Sequence, residues 1–337
     1  MGQSVAANDD LKQGIVFKKL LGQYEVHTAT GIIMCSISSV LRKDLVHPTS
    51  APWSGGLRRV QAVKNIRSVD PVAIGDYVGY VEAGDGTGVI RAVYSRTNKL
   101  ARQAAGNKDL EQVIVANVDQ IVPILAAAQP TPRWGLLDRY LAAAEAAEIP
   151  TLICITKIDL LRRQKLQKLQ EIVDIYESIG YTVILTSAET GLGVDTFQTH
   201  IQNRTSVLVG MSGVGKSSLL NAVQPDLGLR VKTISDSTGK GRHTTTHLEM
   251  FPLNFGGNIV DTPGIKTLGL WEIEDEDLAT LFVEMEPYVG QCKFRLDCTH
   301  VHEPNCAIKA ATETGDISQF RYDSYVRLLT ELRPRHK

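Results

Sequence analysis

Two short segments carry residues whose types and spacing suit the handling of nucleoside phosphates. Residues 210–218 read G-M-S-G-V-G-K-S-S, which satisfies G-x-x-x-x-G-K-[ST], and the apolar run T-S-V-L-V at 205–209 leads straight into them. Gly210, Gly213 and Gly215 allow the backbone to curl until its N–H groups ring a β-phosphate, while Met211, Ser212, Val214 and Ser218 complete the loop and open the helix that should follow. Lys216 brings a full charge to the β- and γ-phosphates, which makes it a catalytic as well as a binding candidate, and Ser217 offers a hydroxyl to Mg²⁺. A second apolar run ends in D-T-P-G at 261–264. There Asp261 can hold a Mg²⁺-bound water, and the Gly264 N–H can meet the γ-phosphate. Alone, D-x-x-G is a common turn; behind a phosphate loop at this distance it is the expected sensor.

The other segment, T-K-I-D at 156–159, fits the reading of a guanine base. The Asp159 carboxylate can accept from both N1–H and the 2-amino group of guanine, whereas adenine offers an acceptor at N1 and no 2-amino donor. Sites built on such donors reject an analogue lacking them by about 10⁴-fold or more. Lys157 would lay its stem along the base, and T-S-A at 186–188 places Ser187 and Ala188 at the end of the next apolar run, with the Ala188 N–H aimed at the guanine O6. T-K-x-D alone is equally readable as a helix start after a strand; the S-A one strand later makes it a base reader.

The order is reversed from that of ordinary P-loop GTPases, in which the phosphate loop comes first. A sheet tolerates a cut anywhere provided each strand keeps its neighbours, and domain termini commonly lie close enough to be joined. A circularly permuted nucleotide-binding sheet is therefore expected over residues 110–272.

The elements that must position these residues follow from periodicity. Short alternating runs between 14 and 95 (G-I-V-F, Y-E-V-H-T, G-I-I-M-C-S-I, R-V-Q-A-V, D-Y-V-G-Y-V, G-V-I-R-A-V), broken by Gly, Pro and Asp, predict an all-β OB-like barrel over 14–100. From 112 the rhythm changes. A buried strand (112–125), helix (134–148), strand (151–156), helix (160–179), strand (181–187), helix (193–202) and strands at 205–210 and 257–261 predict an α/β domain with a parallel sheet covered on both faces. Residues 273–337 read as a helical domain interrupted by cysteines.

Composition agrees with a globular chain of two or three domains: 337 residues at 43% hydrophobic content exceed what one ordinary core needs. No run approaches about 18 apolar residues, and the first residues lack a basic-then-apolar secretion layout, so a cytoplasmic protein is expected. The formal net charge of −1 hides an uneven distribution, +5 over residues 1–110, −8 over 111–288 and +2 over 289–337. Basic ends around an acidic centre suit terminal modules that touch a polyanion, and a solvated charged face accounts for an imbalance of this size equally well. Five cysteines in such a chain are expected as thiols, Cys35 and Cys154 in apolar runs as core residues. Cys292, Cys298, His300 and Cys306 form a Cys₃His set suited to a closed tetrahedral Zn²⁺ site; by spacing alone simple buried thiols remain an alternative, and His302 competes with His300.

These motifs together give a close resemblance to the RsgA (YjeQ) family, the ribosome-small-subunit-dependent GTPases of bacteria and plastids. Carrying it from about residue 14 to the end are I-G-D-Y-V, S-R-T-N-K-L-A-R, A-N-V-D-Q-I-V, the base reader, G-R-H-T-T-T, D-T-P-G and C-T-H-V-H-E-P-N-C. The resemblance implies an N-terminal OB barrel that contacts ribosomal RNA, the permuted GTPase, and a zinc-binding helical C-terminal domain, acting in late maturation of the small subunit. It also favours one Zn²⁺ on Cys292, Cys298, His300 and Cys306, Mg²⁺ with GTP, and a monomer without membrane partners. Two departures stand out: Thr156 replaces the usual Asn, removing an amide that bonds both base and phosphate loop, and the loop at 47–59, H-P-T-S-A-P-W-S-G-G-L-R-R, is unusual.

After D-T-P-G comes Ile265, which cannot orient water where many GTPases use Gln. In the Gly- and Ser-rich stretch around G-R-H-T-T-T at 241–246, His243 is the candidate for that task and Thr245, or a neighbouring Thr, for Mg²⁺; a solvent-exposed loop histidine is the plainer reading of His243. A catalyst on a mobile loop implies slow turnover until a partner orders it. A rival reading, an RNA-binding scaffold in which nucleotide is only structural, is opposed by the intact Lys216, Ser217 and Asp261. Another, a signalling GTPase with a protein target, is opposed by Arg42, Lys43, Arg58, Arg59, Lys64 and Arg67 in the barrel and by the basic tail R-P-R-H-K.

Overall fold

The computed structural model describes residues 11–20, 22–42, 70–103, 111–229, 248–261 and 273–333. The expected strand R-V-Q-A-V, the loop at 47–59, and the candidates His243, Thr245 and Gly264 lie outside these residues. The chain divides into two compact units, one of residues 1–118 with 247–251 and the other of 119–246 with 252–337.

The first unit is a five-stranded barrel of β1 (Lys12–Leu20), β2 (Gln23–Thr28), β3 (Gly31–Ile37), β4 (Tyr77–Glu82) and β5 (Thr87–Val93), with the short α1 (Ser39–Arg42) after β3. Pairing runs β1–β2–β3–β5–β4 and returns to β1, with β3–β5 parallel and the rest antiparallel. That closed 1-2-3-5-4-1 order is the OB arrangement expected from the alternating runs. Alternation sends Val16, Tyr24, Val26, Cys35, Ile37, Val78, Tyr80 and Ile90 into one core. Gly88 is required there by space, since a Cβ would meet the Cys35 sulfur at 2.6 Å. A hairpin of β6 (Lys99–Gln103) and β7 (Glu111–Ala116) follows.

One expected element divides. The buried strand read over 112–125 is β7 and then β8 (Gln120–Ala126). Between them Asn117 takes φ 55°, a conformation that Asn tolerates better than most residues. Its side chain accepts from the Thr97 N–H and donates to the Gly75 carbonyl, so the chain turns where hydropathy alone runs on.

The second unit holds a five-stranded parallel sheet in the order β10-β9-β8-β11-β13. In chain order its elements are β8, α2 (Trp134–Ala146), β9 (Leu152–Thr156), α3 (Arg163–Ser178), β10 (Thr182–Leu185), α4 (Val194–Ile201), β11 (Thr205–Val209), α5 (Lys216–Val223), β12 (Glu249–Pro252) and β13 (Asn258–Asp261). Only Pro252 of β12 belongs here; Glu249 lies in the first unit, paired with Lys18. Leu137 and Leu141 of α2 and Leu169, Val173 and Tyr176 of α3 pack on one face, Phe197 and Ile201 of α4 and Leu219 and Leu220 of α5 on the other. Strands β8 and β11 are neighbours although α2 through α4 intervene in sequence. The sheet thus rejoins the strands that a permutation separates, and the crevice at their carboxyl ends is where such sheets take ligands.

Among the remaining described residues of this unit are short 3₁₀ turns, α6 (Ala307–Thr314) and α7 (Gln319–Leu332). Arg321 of α7 is 1% exposed; its Nε donates to the Glu284 carboxylate at 2.6 Å, Nη1 bonds Asp138 of α2, and the guanidinium lies 4.5 Å from the Phe282 ring centre. Tyr176 donates to the same Asp138 at 2.8 Å. Among the described residues no helix is long and apolar enough to cross a membrane.

Candidate functional site

The phosphate loop leaves β11 and enters α5 at Lys216, with Gly215 at φ 99° as the residue before the helix. Gly210 passes so near β8 that a Cβ would stand 2.4 Å from the Ile124 carbonyl, which is why no larger residue opens the loop. Lys216 donates to the Gly210 and Met211 carbonyls at 2.8 and 3.1 Å. Burial lowers its pKa and the nearby Asp261 charge acts in the opposite sense. An ammonium resting on loop carbonyls at this cost in hydration is poised for a ligand with more negative charge. Ser217 follows in the first turn of α5, and Ser212 and Gly213 are exposed at the loop tip. Asp261 ends β13 opposite Leu208, level with the entry to the loop, so the strand register brings Asp261 to the end of the sheet where β11 leads toward Ser217.

The base reader leaves β9, on the other side of β8. Thr156 is buried, and its hydroxyl lies against the Val214 carbonyl with the Leu125 carbonyl 3.2 Å away. Lys157, at φ 59°, donates to the Gly213 carbonyl at 2.6 Å and also to Gln129; burial lowers its pKa, while Asp159 acts to raise it. The two motifs are thus hydrogen-bonded to each other across β8. Asp159 is exposed, and the buried Ser187 hydroxyl donates to its Oδ1 at 2.5 Å, turning the carboxylate edge to one orientation. Ala188 is exposed one residue later, near the start of the loop after β10.

The cysteine cluster assembles as one group. Ligand atoms of Cys292, Cys298, His300 and Cys306 lie within 4.8 Å of one another, and all four residues are buried. The His300 Nδ1 is 3.4 Å from both the Cys292 and Cys306 sulfurs, which are 3.8 Å apart. A tetrahedral Zn²⁺ with bonds of about 2.3 Å to sulfur and 2.0 Å to nitrogen has edges of about 3.8 and 3.5 Å, so the spacings among Cys292, His300 and Cys306 match that ion, with Cys298 completing the set nearby. His302 is exposed, which removes it from the set. Glu303 accepts from the Thr299 hydroxyl and from the Thr299, Val301 and His302 amides, holding the loop that presents His300. Burial raises its pKa, but these bonds outweigh that and bring it to about 2. Tyr322 and Tyr325 donate to the His300 and Thr299 carbonyls.

Of the residues singled out from sequence, those in the phosphate loop, the base reader and Asp261 gather at the carboxyl ends of β9, β11 and β13, and the cysteine cluster shares no residue with them. Sequence reasoning missed the hydrogen bonds of Lys157 to the phosphate loop and of Ser187 to Asp159; it also missed the cluster around Arg321, a residue without a motif, and the part played by Glu303 inside C-T-H-V-H-E-P-N-C. An Arg in the apolar periodicity of α7 was the one available signal.

Comparison with known proteins follows the same lines. The family model of the RsgA GTPase matches residues 93–271. The small ribosomal subunit biogenesis GTPase RsgA of Bacillus subtilis (strain 168) is 37% identical over 330 residues, 96% of this chain and 99% of that protein. Its counterpart in Actinobacillus pleuropneumoniae serotype 5b is 36% identical over 321 residues, 95% of this chain and 85% of that protein. The crystal structure of YjeQ from Thermotoga maritima superposes with a TM-score of 0.74 at 32% identity, covering 97% of this chain and all of that one. YloQ, described as a circularly permuted GTPase, gives 0.69 at 33% identity over 99% of this chain and all of its own. With the permuted sheet, both nucleotide motifs and full-length relatives in agreement, the chain belongs to the RsgA family of GTPases.

Proposed function

We propose that this protein hydrolyses GTP on the small ribosomal subunit during late maturation, and that the subunit stimulates the reaction. The observation that carries the nucleotide part is the direct hydrogen bonding of Thr156 and Lys157 to the Val214 and Gly213 carbonyls, which joins a guanine reader to a phosphate loop in one site. The relatives' names support the subunit. In this reading Asp159 selects guanine with Ala188, residues 210–218 hold the phosphates, and Ser217, Thr245 and Asp261 serve Mg²⁺. Lys216 offsets charge that develops on the transferred phosphoryl group, Gly264 senses it, and His243 orients the attacking water. Cys292, Cys298, His300 and Cys306 hold one structural Zn²⁺, the barrel contacts ribosomal RNA, and the protein works as a cytoplasmic monomer.

Single-turnover hydrolysis with and without purified small subunits tests this. Slow turnover alone and an increase on the order of 10³-fold with subunits is expected, completion of a catalytic set by a partner being worth about that in related phosphoryl transfers. His243→Ala should lose most of the stimulation while binding nucleotide and subunit. Full stimulation of the variant removes His243 from the mechanism; no stimulation of either protein refutes the subunit-dependent reading.

A further inference from the structure

Helix α3 carries its charges against its own dipole. Arg162, Arg163, Lys165 and Lys168 occupy its start, no acid is present in the first turn, and no base in the last, while Glu171, Asp174 and Glu177 fill its second half. A helix is favoured by acids in its first turn and bases in its last, an effect confined to those turns, so Arg162, Arg163 and Lys165 at the start and Glu177 at the end lower its stability. None of the four cations takes part in an ion pair among the described residues, and the residue before the helix supplies no side-chain cap.

The same turns stand clear of the core. Leu169, Val173 and Tyr176 form the buried stripe of α3, and that stripe continued backward passes Lys165 and Leu166, yet both are exposed. Leu160 and Leu166 are 45% and 39% exposed amid the cations. No acid occurs between residues 160 and 170, although the surrounding stretch 111–288 carries a net charge of −8. A basic island with small apolar patches, kept at a cost to its own helix on an acidic unit, is the complement of a phosphate backbone with its ribose faces.

We propose that the first two turns of α3, with Arg162, Arg163, Lys165 and Lys168 around Leu160 and Leu166, are a docking surface for the sugar–phosphate backbone of small-subunit ribosomal RNA. The inference rests on the subunit reading above and adds a contact in the nucleotide-binding unit itself. Because the first cation of the patch, Arg162, comes three residues after Asp159, RNA held there restrains the loop that reads the base, so subunit and nucleotide affinities are linked reciprocally.

The test measures binding of the full-length native chain, R162E/R163E and K165E/K168E to purified small subunits and to deproteinised small-subunit RNA across a salt series. Each double variant should bind about tenfold or more weakly to both, with a salt slope lower by about 1–2, since each phosphate contact contributes about one. Subunit-free GTP affinity should stay unchanged, and the thermal midpoint of R162E/R163E should rise, because acids then occupy the start of the helix. R162Q/R163Q gives the same readout without reversal if a reversed pair fails to fold. Native affinity and slope in the variants overturn the inference. Loss on whole subunits but not on bare RNA overturns the RNA assignment in favour of a ribosomal protein. A native chain that binds neither target refutes the subunit reading, and this inference falls with it.

Discussion

The Thr156 hydroxyl meets the Val214 carbonyl of the phosphate loop with the Leu125 carbonyl 3.2 Å away, and its single proton can serve only one of them. Thr156 therefore keeps the tie to the loop but has no amide left for the base. Thr156→Asn should bind GDP and GTP about fivefold more tightly, one added hydrogen bond being worth about 1 kcal/mol. Thr156→Val, which leaves both carbonyls without this donor, should bind more weakly than the native protein. Equilibrium titration with a fluorescent nucleotide reads both; equal affinities for all three refute the tie.

Guanine selection should reside in Asp159 as oriented by Ser187. Asp159→Asn reverses one hydrogen-bonding sense and should shift preference from GTP to XTP, because xanthine has a carbonyl where guanine has its 2-amino group. Ser187→Ala should leave the preference and weaken affinity by about fivefold through a less fixed carboxylate. Competition binding separates the two, and an Asp159→Asn protein that still prefers GTP rules out the base reader.

Removing the Arg321 side chain should destabilise the second unit heavily. Asp138 and Glu284, 0% and 4% exposed as side chains, would be left buried without their cation, a change that costs about 3–5 kcal/mol in comparable sites. Arg321→Lys should recover only part, since an ammonium cannot reach both carboxylates and stack on Phe282 together. Urea unfolding measures the loss; a change under about 1 kcal/mol for Arg321→Ala shows that the cluster is not a clamp.

About one zinc per chain is expected on elemental analysis. Chelation or Cys298→Ser should open residues 289–306 to proteases while guanine nucleotide binding persists, because the cluster shares no residue with the nucleotide site. A metal-free protein as resistant as the native one contradicts the assignment.

The sequence by itself determined the local chemistry. Gly210, Lys216, Asp159 and Asp261 were legible as candidates because phosphate binding, guanine reading and magnesium coordination each call for certain residue types at short fixed spacings, and alternation of apolar residues is enough to separate a barrel from an α/β sheet. Tertiary structure decided everything that depends on partners distant in the chain. Whether the run at 112–125 is one strand or two turned on Asn117 reaching Thr97 and Gly75, and His300, which residue spacing left in competition with His302 and the family resemblance favoured, is the ring buried with three sulfurs while His302 is exposed. The joining of Thr156 to Val214 and of Arg321 to Asp138 spans 58 and 183 residues. Periodicity records which face of an element is apolar but not what lies against it, so hydrogen bonds across such separations exist only once the sheet has closed and brought those ends together.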